Sequence, residues 1–197
     1  EKKLADFSDI AHMALSLLVK ETEDGFESTE LAKEISLNYD EILIDEYQDT
    51  NKAQDMLFTS VSRNNLFRVG DVKQSIYSFR QAMPEIFLSL KNSFELYDKE
   101  KDTYPAKIIL GNNFRSRKGV VEGINFFFDF LMTKSTCGID YKNGEGLSFG
   151  ASYEPNDKAD VFVHVVKTDK VRGSDLIAEA RHIGNEIKKL MATGTLV

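Results

Sequence analysis

Two adjacent carboxylates, Asp45 and Glu46, follow an apolar run in the stretch EILIDEYQDTN, residues 41–51. The apolar run predicts a strand buried on both faces of a parallel sheet, and open α/β sheets bind their ligands at the carboxyl edge of the strands. One carboxylate there can hold a hydrated Mg²⁺, and its neighbour can take a proton from an attacking water. The pair is therefore a candidate for metal–phosphate chemistry. The alternative interpretation is a strand end with two solvated acids.

A second polar loop, GDVKQSIYSFR at residues 70–80, follows a run that predicts another short strand. It carries the amide of Gln74, the rings of Tyr77 and Phe79, and the cation of Arg80. Such a set could serve both a phosphate and a stacked base. In the alternative interpretation Tyr77 and Phe79 cap a hydrophobic core, as aromatic residues usually do.

The third candidate is NNFRSRKGVV, residues 112–121, which places Phe114 and Arg115 just before a predicted helix. Taken alone, it is a helix start with two arginines nearby and indicates no particular chemistry. It becomes informative only through its position after the other two stretches.

The three stretches, in this order, resemble motifs of superfamily 1 DNA helicases, the UvrD/Rep-like group. DEYQDTN resembles Walker B, GDVKQSIYSFR resembles helicase motif III, and NFRS resembles motif IV. The resemblance implies an α/β fold, a parallel-sheet P-loop-NTPase (RecA-like) motor fragment that uses ATP and Mg²⁺ to move on DNA. It is strong over residues 40–132 and weaker in the flanks.

The resemblance also implies roles for individual residues. Asp45 would hold Mg²⁺ through water, and Glu46 would activate the attacking water. Gln74 would sense the γ-phosphate, Phe114 would stack on adenine, and Arg115 would reach the γ-phosphate from the second motor domain. The catalytic residues would thus be Asp45, Glu46, Gln74 and Arg115, and the DNA contacts Tyr77, Phe79 and Arg80.

Details of the second stretch favour the AddA family, the A-type subunits of helicase–nuclease enzymes. Val72 and Lys73 follow Gly-Asp where UvrD and Rep carry acids, and Phe79 stands where they carry tryptophan. RecB is a near relative that stays open. This branch implies a helicase/exonuclease in double-strand-break repair by recombination, which acts on single- and double-stranded DNA with a partner nuclease subunit (AddB-like).

The sequence contains no Gly-x-x-x-x-Gly-Lys-Ser/Thr phosphate loop and begins with Glu1. We therefore expect a central fragment of a longer chain, inactive alone, with the Walker A loop and the nuclease domain elsewhere. Two other classes stay open. A motor-like fold could serve only to bind DNA or a partner, although intact Asp45, Glu46, Gln74 and Arg115 disfavour this. A nucleotide hydrolase unrelated to DNA would not need the stacking residues 77–80.

Composition sets wider limits. With 42% hydrophobic and 29% charged residues, the chain has the composition of a soluble globular protein. Its net charge of −7 disfavours a protein that coats nucleic acid through bulk electrostatics. The single cysteine, Cys137, excludes an internal disulfide and any multi-cysteine metal site. We find no bilayer-spanning apolar run and no signal-peptide pattern, so we expect a cytoplasmic protein without a membrane partner.

Apolar periodicity predicts the elements that position these residues. The predicted helices cover residues 6–20, 28–36, 51–62, 84–94, 117–132 and 174–190, and the predicted strands 41–46, 66–71, 107–110 and 161–166. The segments 21–28 and 133–159 are predicted loops, and His12 and His164 are interpreted as structural. The charged segment 95–105 predicts a domain boundary. Residues 1–104 would end the first RecA-like motor domain, and residues 105–197 would begin the second.

Overall fold

The computed structural model describes residues 4–23, 25–154, 161–168 and 173–194. The chain divides into two compact units, Glu1–Leu110 and Gly111–Val197. The helices are α1 (Phe7–Leu18), α2 (Glu30–Ser36), α3 (Lys52–Ser60), α4 (Pro84–Ser93), α5 (Lys118–Leu131), α6 (Lys134–Cys137) and α7 (Ser174–Ala192). The strands are β1 (Val19–Thr22), β2 (Gly25–Ser28), β3 (Ile42–Ile44), β4 (Leu66–Arg68), β5 (Glu95–Leu96), β6 (Ala106–Lys107), β7 (Asn112–Asn113) and β8 (Ser148–Phe149). Across these ranges, none of the helices combines the length and apolar character that a bilayer crossing requires.

The first unit opens with α1, and Asp6 is its cap. The Asp6 carboxylate accepts a hydrogen bond from Asp9 N, and the Asp9 carboxylate accepts one from Asp6 N, so the two form a capping box. Strands β1 and β2 then form an antiparallel hairpin where the sequence predicts a loop. The loop prediction is wrong because it took polar composition as a sign of irregular backbone. A two-stranded ribbon can be formed by polar residues, since its strands hydrogen-bond to each other. Gly25, at φ 137°, supplies a backbone conformation that favours glycine.

Strands β3 and β4 form the parallel pair that carries the first two motifs. Ile42 pairs with Leu66 and Ile44 with Arg68, and α3 connects the strands. Asn51 caps α3 and forms a capping box with Gln54. The result is a mixed α/β unit with short parallel strands, as the apolar runs predict.

The prediction that β3 is buried on both faces is wrong. Leu43 is 68% exposed, and Phe67, its partner on β4, is 55% exposed. Ile42 and Ile44 point to the opposite face and are half-buried. Within the described residues no second layer buries the face of Leu43 and Phe67, so both side chains are exposed.

The first unit continues past the predicted boundary at 104/105. Strand β6 pairs in parallel with β5, which ties residues 106 and 107 to residues 95 and 96 at the start of the charged segment. The strand predicted over 107–110 is therefore reduced to Ala106–Lys107, and the compact unit ends at Leu110.

The second unit is built on α5 and the parallel pair β7–β8. Tyr141, which is 2% exposed, donates from its hydroxyl to Asn125 Oδ1 over 2.8 Å. Leu147 N donates to the same oxygen over 3.0 Å, and Asn125 Nδ2 donates to Leu147 O over 2.9 Å. The segment predicted as a loop from residue 133 thus contains α6, a π-helical turn and β8, although residues 155–160 lie outside the described part. Asn125 holds this segment against α5.

Two predictions for the end of the chain are wrong. Residues 161–166 form no strand and are exposed along their length. Helix α7 begins at the predicted place, after Gly173, but its apolar stripe does not face inward. Its exposed members are Leu176, Ile177, Ile183, Ile187 and Leu190. An amphipathic stripe is buried only where a second surface packs on it, and within the described residues none covers it.

Candidate functional site

Glu46 marks the point where β3 ends. Its backbone lies in the left-handed region at φ 50° and ψ 43°, and a single 3₁₀ turn, Tyr47–Asp49, follows at once. Glu46 N donates to Asp45 Oδ1 over 2.8 Å. Both carboxylates are exposed at the carboxyl edge of the strand, where the sequence predicts them. A left-handed residue other than glycine is unfavourable, and such residues cluster at functional sites.

Gln48 connects this edge to the second motif. Its side chain is almost fully buried, with 1% exposed. Nε2 donates to Glu46 Oε2 over 2.6 Å, and Oε1 accepts from Asp71 N over 2.9 Å. Gln48 therefore joins the carboxylate of Glu46 to the start of the loop after β4. No sequence motif singled out Gln48. In the sequence Gln48 is only an amide among the acids of DEYQDTN. Its role becomes visible once the fold shows its two partners, Glu46 and Asp71.

The ends of the two strands approach closely at Gly70. Tyr47 N donates to Val69 O over 2.9 Å, which continues the parallel pairing beyond β3. A Cβ built on Gly70 would lie 2.5 Å from Gln48 Oε1 and 3.1 Å from Tyr47 N. Only glycine leaves room for the Gln48 amide beside residue 70. The close approach of the Gln48 side chain to the backbone therefore explains the glycine at this position.

Asp71 organises the start of the second motif. Its Oδ1 lies 2.8 Å from Lys73 Nζ, and its Oδ2 accepts from Gln74 Nε2 over 3.1 Å. Burial raises the pKa of Asp71, but the hydrogen bonds from Lys73 and Gln74 and the charge of Lys73 outweigh it and hold that pKa below its ordinary value. Asp71 is therefore an ionised anchor for Gln74. A continuous path of hydrogen bonds leads from Glu46 through Gln48 and the Asp71 backbone to Gln74.

Tyr47 packs on the buried side of the turn that follows Glu46. It is fully buried, and its hydroxyl donates to Asp55 Oδ1 on α3 over 2.5 Å. The Arg68 guanidinium lies 5.1 Å from the centre of its ring, and the Phe87 ring packs 5.7 Å away. Burial and the hydrogen bond to Asp55 raise the pKa of Tyr47 to about 12, so it stays neutral. Tyr47 thus fixes the turn that presents Glu46 and Gln48.

Tyr77, Phe79 and Arg80 form an exposed aromatic and cationic surface. The two rings lie 5.9 Å apart at 56°, and the Arg80 guanidinium lies 5.4 Å from the Tyr77 ring and 5.7 Å from the Phe79 ring. Phe79 is 75% exposed, so it does not cap the core of this unit. Met83 N donates to Thr50 O over 3.0 Å, which anchors the end of this loop beside the first motif.

The third motif lies in the second unit. Asn113 Oδ1 accepts from Arg115 N over 3.1 Å and from Ser116 N over 2.8 Å, which sets the turn before α5. The sequence suggests Ser116 as the cap of α5, but this expectation is wrong because the cap position is Arg117. The Ser116 N–H donates to Asn113. Phe114 is 67% exposed and Arg115 is also exposed.

Tyr153 holds the third motif in place. Its hydroxyl donates to Arg115 O over 2.6 Å, and the Arg117 guanidinium lies 5.3 Å from its ring. The Phe114 ring lies against Gly150, where an added Cβ would come within 2.7 Å of it. No local sequence pattern predicts this role of Tyr153, because its contact with Arg115 joins residues that are distant in the chain.

Known proteins resemble this chain over most of its length. Residues 1–95 match the UvrD/REP helicase N-terminal domain. The chain is 46% identical to the A-type subunit of the ATP-dependent helicase/nuclease from Clostridium acetobutylicum, over 78% of its own length and 12% of the relative. It is 39% identical to the protein of the same name from Clostridium kluyveri over 97% of this chain and 17% of the relative. It is also 39% identical to the protein of the same name from Acetivibrio thermocellus, over 85% of this chain and 14% of the relative.

The chain thus spans 12 to 17% of the length of these three curated relatives. Its resemblance to the A-type subunits of ATP-dependent helicase/nucleases, first indicated by three short motifs, is confirmed over most of the chain. The family model that matches the chain is the UvrD/REP helicase N-terminal domain, over residues 1–95.

Proposed function

We propose that this chain supplies part of the ATP-driven motor of a DNA helicase/nuclease, and that the edge formed by Asp45 and Glu46 takes part in ATP hydrolysis. The observation that carries the proposal is the side chain of Gln48, which joins Glu46 to the loop of Gln74. The names of the relatives describe ATP dependence, helicase and nuclease activity and a subunit of a larger enzyme for those proteins. For this chain these properties are part of the proposal.

The donor set fits Mg²⁺. Two carboxylates stand exposed at one strand end, and no histidine or cysteine occurs in residues 41–51. Hard cations of this kind take carboxylate and water oxygens as ligands. Asp45 would hold Mg²⁺ through water, and the bound ion would offset the phosphate charge.

Glu46 would be the general base. Gln48 donates to one of its oxygens, which fixes the carboxylate in one direction while leaving it able to accept a proton. Its left-handed backbone turns it away from the strand direction. Gln74 would sense the γ-phosphate from the neighbouring loop, where Asp71 holds its amide.

Tyr77, Phe79 and Arg80 would contact single-stranded DNA. Their rings are exposed and lie under one guanidinium, which suits both base stacking and phosphate contact. Base–aromatic stacking contributes about 1–3 kcal/mol per base. That is enough to hold a strand and weak enough to release it in each cycle.

The parallel pair β3–β4 supports a RecA-like motor, and the two motor-domain assignments, residues 1–104 and 105–197, belong to this proposal. Phe114 would contact adenine and Arg115 the γ-phosphate. The full enzyme would act on single- and double-stranded DNA with a partner nuclease subunit (AddB-like). The 197-residue chain would not hydrolyse ATP alone, because it carries no Walker A sequence.

The test is Glu46→Gln in the full-length protein that carries this segment, together with its partner subunit. We expect loss of ATP hydrolysis and unwinding with ATP binding retained. Glu41→Gln, at the other end of β3, is the matched control and should behave as wild type. Unwinding that persists while nuclease activity is lost would overturn the assignment and place Glu46 in a nuclease centre.

A further inference from the structure

Two histidines meet in the second unit, away from the three motifs. His164 lies in the exposed segment 161–168, and His182 lies on α7. Their ring centres are 4.7 Å apart at an interplanar angle of 53°. Glu186 follows His182 by one helical turn, on the same side of α7. One potential ligand atom from each of the three residues lies within 4.8 Å of the other two.

His182 also has a buried atom that the fold does not satisfy. Its Nε2 is shielded from solvent and finds no hydrogen-bond partner in the described part of the chain. Buried polar atoms in folded proteins are nearly always paired, so an exception calls for an explanation. A buried imidazole nitrogen beside a second histidine and a carboxylate is an arrangement that suits metal coordination.

We propose that His164, His182 and Glu186 form a binding site for a divalent transition-metal ion, with Zn²⁺ as its best match. Two imidazoles and one carboxylate are a common zinc donor set, whereas Mg²⁺ and Ca²⁺ prefer oxygen ligands throughout. With bonds of about 2.0–2.2 Å, a tetrahedral ion draws its ligand atoms to within about 3.4 Å of one another. His164 can make that adjustment because it is exposed and lies outside any helix or strand.

Lys189 competes for the third ligand. Its Nζ lies 2.5 Å from Glu186 Oε1, but the Lys189 side chain is 70% exposed and can move into solvent. Glu186 supplies a carboxylate, and a glutamate is ionised at neutral pH, which is the form that binds a metal.

The site would fasten the segment 161–168 to α7. Three protein ligands leave a fourth position for water, so the site is open and its occupancy follows the free metal concentration. Because metal that binds only the folded state stabilises it, the second unit should melt at a higher temperature with Zn²⁺.

The experiment uses the 197-residue chain without a histidine tag and with Cys137→Ser. This background removes the only cysteine, an exposed thiol that could bind Zn²⁺ itself. Competition with a chromogenic chelator should give one Zn²⁺ per chain. His164→Ala and His182→Ala should each weaken binding at least ~10-fold, since even the loss of residues that only support a metal ligand costs about that much. His12→Ala, the remaining histidine, is the matched control and should leave affinity unchanged.

Co²⁺ provides a second measurement. Four-coordinate Co²⁺ should give an intense visible absorption band that His164→Ala abolishes, and this variant changes no helix. Zn²⁺ should raise the melting temperature of the C137S protein but not that of its His164→Ala derivative. The proposal is overturned if the C137S protein shows no saturable Zn²⁺ binding. It is equally overturned if the His164→Ala/His182→Ala double variant binds as tightly as its parent. Neither outcome bears on the proposed role of Asp45 and Glu46 in ATP hydrolysis.

Discussion

Gln48 Nε2 donates a hydrogen bond to Glu46 Oε2 over 2.6 Å from a fully buried position. The same amide accepts from Asp71 N through its oxygen, so both ends of the side chain are used. A displacement of the loop after β4 therefore acts on the carboxylate that we propose as the base. This is a direct physical link between the first and second motifs.

Gln48→Leu should break that link while keeping a side chain of similar size. In the full-length enzyme we expect kcat for ATP hydrolysis to fall about 10- to 100-fold with KM little changed, because a misplacement of about 1 Å costs roughly that factor. Steady-state ATPase kinetics measure it. Gln54→Glu, which keeps the capping box of α3, is the control. Wild-type kcat in Gln48→Leu would show that Glu46 does not depend on the amide.

Phe79→Ala should weaken binding of single-stranded DNA. The loss of one stacked base, about 1–3 kcal/mol, corresponds to roughly 5- to 150-fold in Kd. Fluorescence anisotropy with a labelled oligonucleotide measures the affinity, and basal ATPase should stay near wild type. Phe67→Ala removes an aromatic ring of comparable exposure outside the loop and should leave affinity unchanged. A lower melting temperature with unaltered DNA affinity would assign Phe79 to packing.

In the full-length enzyme, Arg115→Ala should impair ATP hydrolysis and spare DNA binding, the reverse of Phe79→Ala. DNA affinity without nucleotide should stay the same, while hydrolysis should fall by about 10³- to 10⁵-fold, the usual value of an arginine at a transferring phosphoryl group. Lys118→Ala, a change of a nearby exposed cation at the start of α5, is the control. Parallel ATPase and DNA-binding assays separate the two residues. Equal losses of hydrolysis in both variants would point to the turn at Asn113 and not to the Arg115 guanidinium.

Tyr47→Phe should cost about 1 kcal/mol of unfolding free energy at neutral pH, because it removes the hydrogen bond to Asp55. The folded-state pKa of Tyr47, about 12, exceeds the ordinary tyrosine value of about 10. The stability that this shift contributes is full below about pH 10 and is lost as the pH rises through about 12. The difference between wild type and Tyr47→Phe should therefore shrink over that window in urea unfolding experiments. A constant difference would contradict the shift, and Tyr39→Phe is an exposed control.

The β3–α3–β4 region could be predicted from the sequence because short stretches of chain determine its elements. An apolar run, a capping asparagine at Asn51 and Pro84 at a helix start each act within one turn. Asp45 and Glu46 are found at the strand end for the same reason. Gln48 and Tyr153 could not be predicted, since their partners Asp71 and Arg115 are distant in sequence.

The errors have a common physical cause. The segment 161–166 and the apolar stripe of α7 are typical of buried elements, but a pattern specifies a face and not the surface that covers it. Where the described residues supply no such surface, the apolar side chains are exposed. The hairpin β1–β2 was missed for the converse reason, because a ribbon of two strands needs little burial to satisfy its own hydrogen bonds.

The left-handed backbone of Glu46 sets the stability of the fold against the catalytic role that we propose for this residue. Glycine adopts φ 50° without the penalty of about 1 kcal/mol that a glutamate incurs. Directed evolution for thermostability alone would therefore enrich Glu46→Gly and discard the carboxylate. Homologues that retain an acid here would do so under selection for turnover, against the preference of the backbone.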